Sequence, residues 1–337
     1  MIWYDTIEQN NLTLHLLPIS IRDLFYFQYS PATIFYLNKE RVFQEIYKKN
    51  SPINKESLSF IIKKTDGNIF IDSFEYEKIK SLQQENLRKT IRSISMSKNS
   101  KNIKRLINLL SLNLKYLYQN PQSDDQLNLQ YQSIISTFNL ILESPDILPF
   151  LYQEIYKQKH YYIITQPLTS SLSLLSLLLK QNFYNKKEME NLFITSYFKD
   201  IGMSSIPFEN YEGLLQTERE KKLFSNHPNV SVKYLFGRLP LNLNNLNIIK
   251  HHHSYHSLVN KDLRQIKEQS NESIILGFET LLVSVMDIIA GMTSNRPFRE
   301  TKTLFESLIV IKKIMIKDYP KEFTVLVNFF KKFFAKK

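Results

Sequence analysis

Four of the seven histidines of this 337-residue chain lie in one short run, residues 248–256, which has the sequence IIKHHHSYH. On a helix, His252 and His256 lie on one face at positions i and i+4, and His253 lies three residues before His256. Neutral imidazoles gathered at one place can bind a transition metal or transfer protons, because each presents a nitrogen lone pair near neutral pH. A polar helix end that is rich in histidine would have the same sequence, since a histidine tract is only a compositional signal. Partners from elsewhere in the chain must decide between these two interpretations.

The amino-acid composition restricts which other residues of the chain could bind a metal together with the histidines. The chain has no cysteine, which excludes disulfides, thiolate catalysis and Cys-ligated zinc and leaves His, Asp and Glu as the strong side-chain metal ligands. Its net charge of +12 favours anionic partners, but the basic residues are scattered and form no long block, so we expect no nucleic-acid binding. The N-terminus has no cationic start, and the most apolar run, Leu172–Leu179, is far shorter than the roughly 20 residues needed to span a bilayer. We therefore expect a cytoplasmic protein and do not expect membrane contact.

The elements that must position the histidines begin with residues 1–120, which predict a small α+β domain of sensory or scaffold type with a helical connector. Thr33–Leu37 has the β-branched and aromatic residues of a strand, and Phe60–Ile71 has the pattern of a hairpin that turns at an Asp-Gly pair. From Tyr76 to Leu117 the apolar residues have helical spacing. This spacing predicts either a connector that pairs with a second copy of itself or an amphipathic helix that packs on its own domain.

Residues 121–337 predict an all-α domain, which makes the chain mainly α. Apolar residues recur there at three- and four-residue spacing, and strand patterns are few. The helical segments expected after Phe150 are Leu151–Lys157, Leu168–Gln181, Lys186–Phe198, Thr217–Phe224, Val230–Phe236, Ile274–Ala290, Lys302–Lys317 and Lys321–Phe334. The last segment is basic and aromatic, which is compatible with an anionic membrane surface but more typical of a helix that packs on its own domain or on a dimer partner.

Four sequence motifs in this part of the chain occur in a defined order. They are FKDIG at 198–202 followed by IP at 206–207, the pair His227–Pro228, the histidine run, and VSVMDIIAGMTSNRPFR at 283–299. In this order they resemble the HD-GYP family, the metal-dependent cyclic di-GMP phosphodiesterases of the HD hydrolase superfamily, whose motifs are HDIGK…IP, HP, HHE with a GYP loop, and VADxFDALTSxRPYR. The resemblance covers about residues 150–317, and MTSNRPFR is its most specific part. It implies that the all-α domain is HD-GYP-like.

The resemblance implies one complete metal position. In the family, this position uses the aspartate of the HD pair, the histidine of the HP pair and both histidines of the later pair, which correspond here to Asp200, His227, His251 and His252. Three imidazoles and a carboxylate suit a divalent transition metal such as Fe, Mn, Ni or Zn, and no organic cofactor is implied. The neighbouring metal position keeps only Asp200 and the late aspartate, Asp287.

The sequence departs from the family pattern around this second position. Lys199 replaces the histidine of the HD pair and Met203 replaces a lysine. The family has an upstream histidine that would fall near Pro167 or Leu168; none is there, and His160 lies several residues too early. His253 replaces the glutamate that follows the paired histidines, and Ser257–Ser273 replaces the GYP loop. We predict that the Lys199 ammonium supplies, beside the two aspartates, some of the positive charge of the missing metal. The alternative is that this lysine points to solvent.

Two arginines near the end of the last motif are candidate substrate-binding residues. Arg296 and Arg299 occupy the basic positions of the RPYR segment, which in the family face the phosphates of the dinucleotide. Guanidinium groups suit phosphate because they offer two parallel donors. The alternative for Arg296 is a cap or salt bridge at the helix end beside Pro297.

Two functions follow from these matches and departures. The first is a regulatory module with a partial metal site and little or no phosphodiesterase activity, which acts through signalling protein partners or by sensing a cyclic dinucleotide such as cyclic di-GMP. The second is an active metal-dependent cyclic di-GMP phosphodiesterase whose remodelled site recruits His253 or His256. Phosphodiester hydrolysis by a metal pair uses both ions to stabilise charge, so the loss of one metal position favours the first function. A homodimer is compatible with either function.

Overall fold

The computed structural model describes residues 5–9, 12–65, 69–96, 100–157, 162–181, 184–206, 217–255, 277–294 and 300–334. These residues are mainly α-helical and contain one antiparallel sheet, as the sequence predicts. The chain divides into two compact units, Met1–Tyr116 and Leu117–Lys337.

The N-terminal unit contains a five-stranded antiparallel sheet with the strand order β1-β2-β5-β3-β4. The strands are β1 (Asp5–Gln9), β2 (Leu12–Ile19), β3 (Ile34–Leu37), β4 (Phe43–Tyr47) and β5 (Ile69–Asp72). The helices are α1 (Lys55–Thr65), α2 (Ser73–Met96) and α3 (Ser100–Gln119). The last three residues of α3 belong to the second unit. In the central strand β5, Ile69 and Ile71 are fully buried, because alternate residues of a strand point to the same face.

The predicted strand at Thr33–Leu37 is confirmed by β3, but the predicted hairpin over Phe60–Ile71 is wrong. Its first half belongs to α1, and only its second half forms a strand. Ile61 and Thr65 are buried and Leu58 packs against the same core, so residues at three- and four-residue spacing bury one face of a helix. The Asp-Gly pair lies outside the described residues.

The C-terminal unit is all-α in the residues that the structure describes. Its helices are α4 (Asp124–Glu143), α5 (Leu148–Tyr156), α6 (Tyr162–Leu178), α7 (Lys186–Phe198), α8 (Glu218–Leu235), α9 (Leu243–His251), α10 (Phe278–Thr293), α11 (Leu304–Met315) and α12 (Pro320–Phe334). Apolar side chains of α6, α10, α11 and α12 form one core. Phe329 and Phe330 of α12 are buried in it, so the aromatic face of this helix packs on its own domain.

Helix α8 differs from the prediction because it continues without a break through Pro228. The spacing of apolar residues predicts two segments, Thr217–Phe224 and Val230–Phe236. A proline lacks the N–H that would bond to the carbonyl four residues earlier. Here that carbonyl belongs to Phe224, and it accepts a hydrogen bond from the ring of His227 at an Nδ1–O distance of 2.6 Å. A side chain thus satisfies the backbone group that the proline leaves without its helical donor.

The described helices include no single one that is both long enough and apolar enough to cross a membrane. Two segments, Asp124–Glu143 and Pro145–Ile155, are long and apolar enough only when they are taken together, and the pair is bent by 108°.

Candidate metal centre

Four potential metal ligands come together from three stretches of the C-terminal unit. Asp200 lies between the end of α7 and a short 3-10 helix, Ile201–Ser205, while His227 lies inside α8. His252 and His253 directly follow the last residue of α9. One donor atom from each of the four residues lies within 4.8 Å of the donor atoms of the others. We call this group of three imidazoles and one carboxylate the metal cluster.

Asp200 contacts two of the three imidazoles in the metal cluster. Its Oδ1 lies 3.3 Å from His227 Nε2 and 3.1 Å from His252 Nε2. The Nε2 atoms of His227 and His253 are 3.2 Å apart. His227 and His252 are buried, whereas Asp200 and His253 are partly exposed. The donors therefore lie at the boundary between the protein core and the solvent.

Backbone carbonyls fix the orientation of two of the imidazoles. His227 Nδ1 lies 2.6 Å from the carbonyl oxygen of Phe224, and His252 Nδ1 lies 2.6 Å from that of Ile249. Because a carbonyl oxygen only accepts hydrogen bonds, each Nδ1 must carry a hydrogen. A neutral ring then presents its Nε2 lone pair to the metal cluster. Metal-binding histidines are commonly held in this way, with the second ring nitrogen donating to a backbone carbonyl.

The end of α9 supplies the acceptor for His252. Ile249 lies in the last turn of the helix, where backbone carbonyls have no N–H partner within the helix, so its oxygen can accept the ring N–H. Ser284 of α10 in turn donates its hydroxyl hydrogen to the carbonyl oxygen of His252. Both the ring and the backbone of this residue are therefore held by neighbouring groups.

The geometry of the metal cluster calls for a positive charge between its donors. With neutral rings, the Nε2 lone pairs of His227 and His252 face an Asp200 oxygen that also has only lone pairs to offer. Protonation of the rings would resolve this, and so would a cation bound between them. Imidazole nitrogen and carboxylate oxygen are ligands that divalent transition metals accept. The residues therefore fit a metal ion.

The second oxygen of Asp200 is held by a lysine. Lys199 Nζ forms ion pairs with Asp200 Oδ2 and with Asp287 Oδ1, the second at 2.8 Å. The lysine side chain is 0% exposed and that of Asp287 is 3% exposed. Gln166 of α6 donates through Nε2 to the same Asp287 oxygen at 2.9 Å. An ammonium group thus lies between the two carboxylates that the family resemblance assigns to the second metal position.

These contacts set the charges of the buried groups. Burial alone would lower the pKa of Lys199, but the charges of Asp200 and Asp287 outweigh this effect and raise it above its usual value. Burial alone would raise the pKa of Asp200, but the positive charge of Lys199 is the largest of the effects that bring it well below its usual value. The lysine is therefore protonated and Asp200 is ionised at neutral pH.

Close packing fixes the backbone of Asp200 relative to α8. The N–H of Gly202 donates to Ser231 Oγ at 2.8 Å, and a Cβ atom at Gly202 would lie only 2.1 Å from the carbonyl oxygen of His227. Only glycine permits so close an approach of the two backbones. Tyr118 OH donates to the carbonyl oxygen of Asp200 at 3.2 Å. Neither Gly202 nor Tyr118 contributes a donor to the metal cluster, but both help to position it.

The structure brings together three of the four predicted ligands, Asp200, His227 and His252. The fourth differs, because among the described histidines His253 belongs to the metal cluster and His251 does not. Successive residues of a helix point about 100° apart, so three consecutive histidines cannot all face one point. The family pattern predicts that the paired histidines are the first two of the three consecutive histidines. In the structure the pair is the last two, His252 and His253.

Lys199 Nζ contacts both Asp200 and Asp287, and the lysine does not point to solvent. Gln166 was not predicted, because an amide is not a strong metal ligand and 121 residues separate it from Asp287. Gln166 lies next to Pro167, close to where the family has its upstream histidine. This position in the family pattern is the sequence signal that could have indicated Gln166. Three predicted residues, His256, Arg296 and Arg299, lie outside the described residues.

A search of solved structures finds a similar fold in Bd1817, an HDG"Y"P protein from Bdellovibrio bacteriovorus. The TM-score is 0.60 and the sequence identity is 16%, over 94% of this chain and 99% of that chain. No protein-family model matches the chain, and no curated protein matches it. At this identity the similarity concerns the fold alone. The chain therefore has an HD-GYP-like fold, as the order of its sequence motifs predicts.

Proposed function

We propose that this protein is an HD-GYP-like regulatory module with one metal site and little or no phosphodiesterase activity. In this function it contacts signalling proteins or senses a cyclic dinucleotide. The observation that carries the proposal is the buried Lys199 ammonium between Asp200 and Asp287.

Lys199 occupies the place where a second metal ion would need ligands. It engages one oxygen of each aspartate, so an ion at this place would have to displace it or lie beside it. A buried ammonium and a dication repel each other, because little solvent screens the charges. The two carboxylates carry two negative charges, and Lys199 balances one of them. The charge that remains suits a single metal ion on the other side of Asp200.

Lys199 cannot take over the catalytic role of a second ion. Hydrolysis of a phosphodiester by a metal pair depends on both ions to stabilise charge on the phosphoryl oxygens. The lysine side chain is 0% exposed and is paired with Asp200 and Asp287, so it is not positioned to contact a phosphate. The lysine balances charge within the protein and stabilises no charge on a substrate.

The metal cluster fits the remaining ion. Asp200, His227, His252 and His253 would hold it, and the ion would supply Lewis-acid chemistry when bound. The carbonyl oxygens of Phe224 and Ile249 keep two Nε2 lone pairs directed at the cluster, and Lys199 keeps Asp200 ionised. The residues of this chain thus prepare one site for metal and block the neighbouring one.

Metal analysis combined with a turnover assay tests this proposal. Protein purified without chelator is expected to contain one equivalent of a transition metal and to form no linear dinucleotide or GMP from cyclic di-GMP. The Lys199→His variant removes the blocking charge and is expected to bind a second equivalent. Lys187→His, at an exposed ion pair near the start of α7, is the matched control and is expected to bind no more metal than the parent. Two equivalents in the unmodified protein, together with product, would contradict the proposal.

The alternative function is an active metal-dependent cyclic di-GMP phosphodiesterase with a remodelled site. The position of His253 favours it, because this residue adds a donor to the metal cluster and a single ion can still activate water. Turnover by the one-metal protein that is lost in His253→Ala and retained in His251→Ala would establish this alternative.

Cyclic dinucleotide sensing is supported by sequence alone, through Arg296 and Arg299. Calorimetric titration with cyclic di-GMP tests it. Binding without turnover, weakened in Arg296→Ala and Arg299→Ala, would identify a receptor. A metal-loaded protein that does not bind the dinucleotide would leave contacts with signalling proteins as the regulatory function.

A further inference from the structure

The metal cluster contains as many donors as a tetrahedral ion needs. We infer that its ion is held by four protein ligands alone, in a closed, zinc-type centre that cross-links the fold and presents no open coordination position to a substrate. This inference rests on the proposed one-metal function and specifies what the ion does there.

The number of available donors limits the coordination of the ion. Asp200 can bind it only through Oδ1, because Lys199 holds Oδ2. Asp287 does not belong to the metal cluster, and its Oδ1 accepts hydrogen bonds from Lys199 and Gln166. Among the described residues, three imidazoles complete the group and no further histidine or carboxylate joins it. The protein therefore offers one oxygen and three nitrogens.

The spacing of these donors suits a four-coordinate ion. Three donor–donor separations in the cluster are 3.1, 3.2 and 3.3 Å. A tetrahedral ion with metal–nitrogen bonds of 2.0–2.1 Å has edges of about 3.3–3.4 Å. The other three separations are within 4.8 Å, so the donors already surround a position that one ion could occupy.

His253 is the residue that closes the centre. Catalytic zinc sites commonly use three protein ligands and leave the fourth position open, whereas structural sites use four. Asp200, His227 and His252 would form an open site by themselves, and His253 fills the fourth position. The ion then joins the end of α7, the middle of α8 and the end of α9, which are distant in sequence, and so acts as a cross-link.

The donor set also indicates the class of metal. Imidazole-rich sites suit zinc, cobalt and their neighbours, whereas magnesium prefers oxygen ligands and octahedral geometry. Cobalt(II) is a useful probe, because its visible absorption is intense when four ligands surround it and weak when six do.

The experiment uses the full chain, stripped of metal by chelator and titrated with cobalt(II) chloride. We expect one equivalent to bind, with intense visible bands that do not change when azide or inorganic phosphate is added. The weak bands of a six-coordinate ion, or a shift on adding azide, would overturn the closed centre and leave the one-metal proposal intact. Two bound equivalents, or none, would overturn the one-metal proposal itself.

Two variants test the role of His253. His253→Ala is expected to make the cobalt spectrum sensitive to azide and to weaken metal affinity by at least about 100-fold, since even outer-shell losses cost ~10–100-fold. His251→Ala, the adjacent histidine outside the metal cluster, is expected to leave the spectrum and the affinity unchanged. An azide-insensitive His253→Ala spectrum would show that His253 is not a ligand. If this variant does not fold, the response of the parent protein to azide still decides the inference.

Discussion

Replacing Lys199 with methionine should destabilise the C-terminal unit strongly. The substitution removes the ammonium while nearly conserving side-chain length, so it leaves the partly exposed Asp200 and the buried Asp287 without the positive charge that lies between them. Removing one partner of a buried ion pair typically costs about 3–5 kcal/mol. For a unit of this size, a loss of 1 kcal/mol lowers Tm by about 2–4 °C. The expected decrease in Tm is therefore about 6–20 °C, measured by differential scanning calorimetry of the metal-free protein at pH 7.

A matched control and a double variant separate charge from packing in this experiment. Lys187, near the start of α7, forms an exposed ion pair with Glu190, and Lys187→Met should change the free energy of unfolding by less than about 1 kcal/mol. Adding Asp287→Asn to Lys199→Met removes the unbalanced carboxylate and should recover part of the lost stability. Equal Tm values for Lys199→Met and the parent would refute the charge-balancing role. Equal losses in the single and double variants would assign the effect to packing.

Three further predictions concern the backbone and the pH dependence of the site. Pro228→Ala restores an N–H that competes with the ring of His227 for the Phe224 carbonyl oxygen. Calorimetric titration should show that the variant binds metal about 10–100-fold more weakly, as for other losses of groups that orient a ligand. An unchanged affinity would contradict the role of the proline. Gly202→Ala places a methyl group 2.1 Å from a backbone oxygen of α8. The clash should lower the free energy of unfolding, measured by chemical denaturation, by about 1–3 kcal/mol and reduce the metal content. Unchanged stability would mean that the 3-10 helix can move. Burial opposes the charged form of Lys199, but the two carboxylates outweigh it and raise the pKa of this lysine above 10.5. The stabilising contribution of the ammonium is therefore fully present below about pH 10.5 and is lost as the pH rises through the raised pKa. The Tm difference between the parent and Lys199→Met should be constant from neutral pH to pH 9 and shrink in stronger base.

Local sequence patterns predict most of the helices because the burial of one helical face depends on spacing along the chain. The segment Lys186–Phe198 coincides with α7, whose Asn185 and Glu188 form a capping box that marks its beginning. The errors occur where tertiary contacts decide. Phe60–Ile71 is apolar enough for a strand, yet its first half is helical because Ile61 and Thr65 are buried on one side.

The site could be predicted only in part, because its side chains come from distant stretches. The motif order indicates Asp200, His227 and His252, since each lies in a motif of its own. The choice between His251 and His253 depends on where α9 ends, and the motif does not contain that information. The spacing of polar and apolar residues does not indicate Gln166, because its contact with Asp287 forms only when α6 packs beside α10.

The buried lysine makes one of the two charged positions of this centre permanent. An amine that is part of the polypeptide cannot dissociate, be removed by a chelator or exchange for a competing cation. Occupancy of the whole centre therefore depends on the free concentration of one kind of ion, and its saturation curve should be a simple hyperbola without cooperativity. A cell that becomes short of transition metal would empty such a protein gradually, and the single positive charge of the lysine would remain in place.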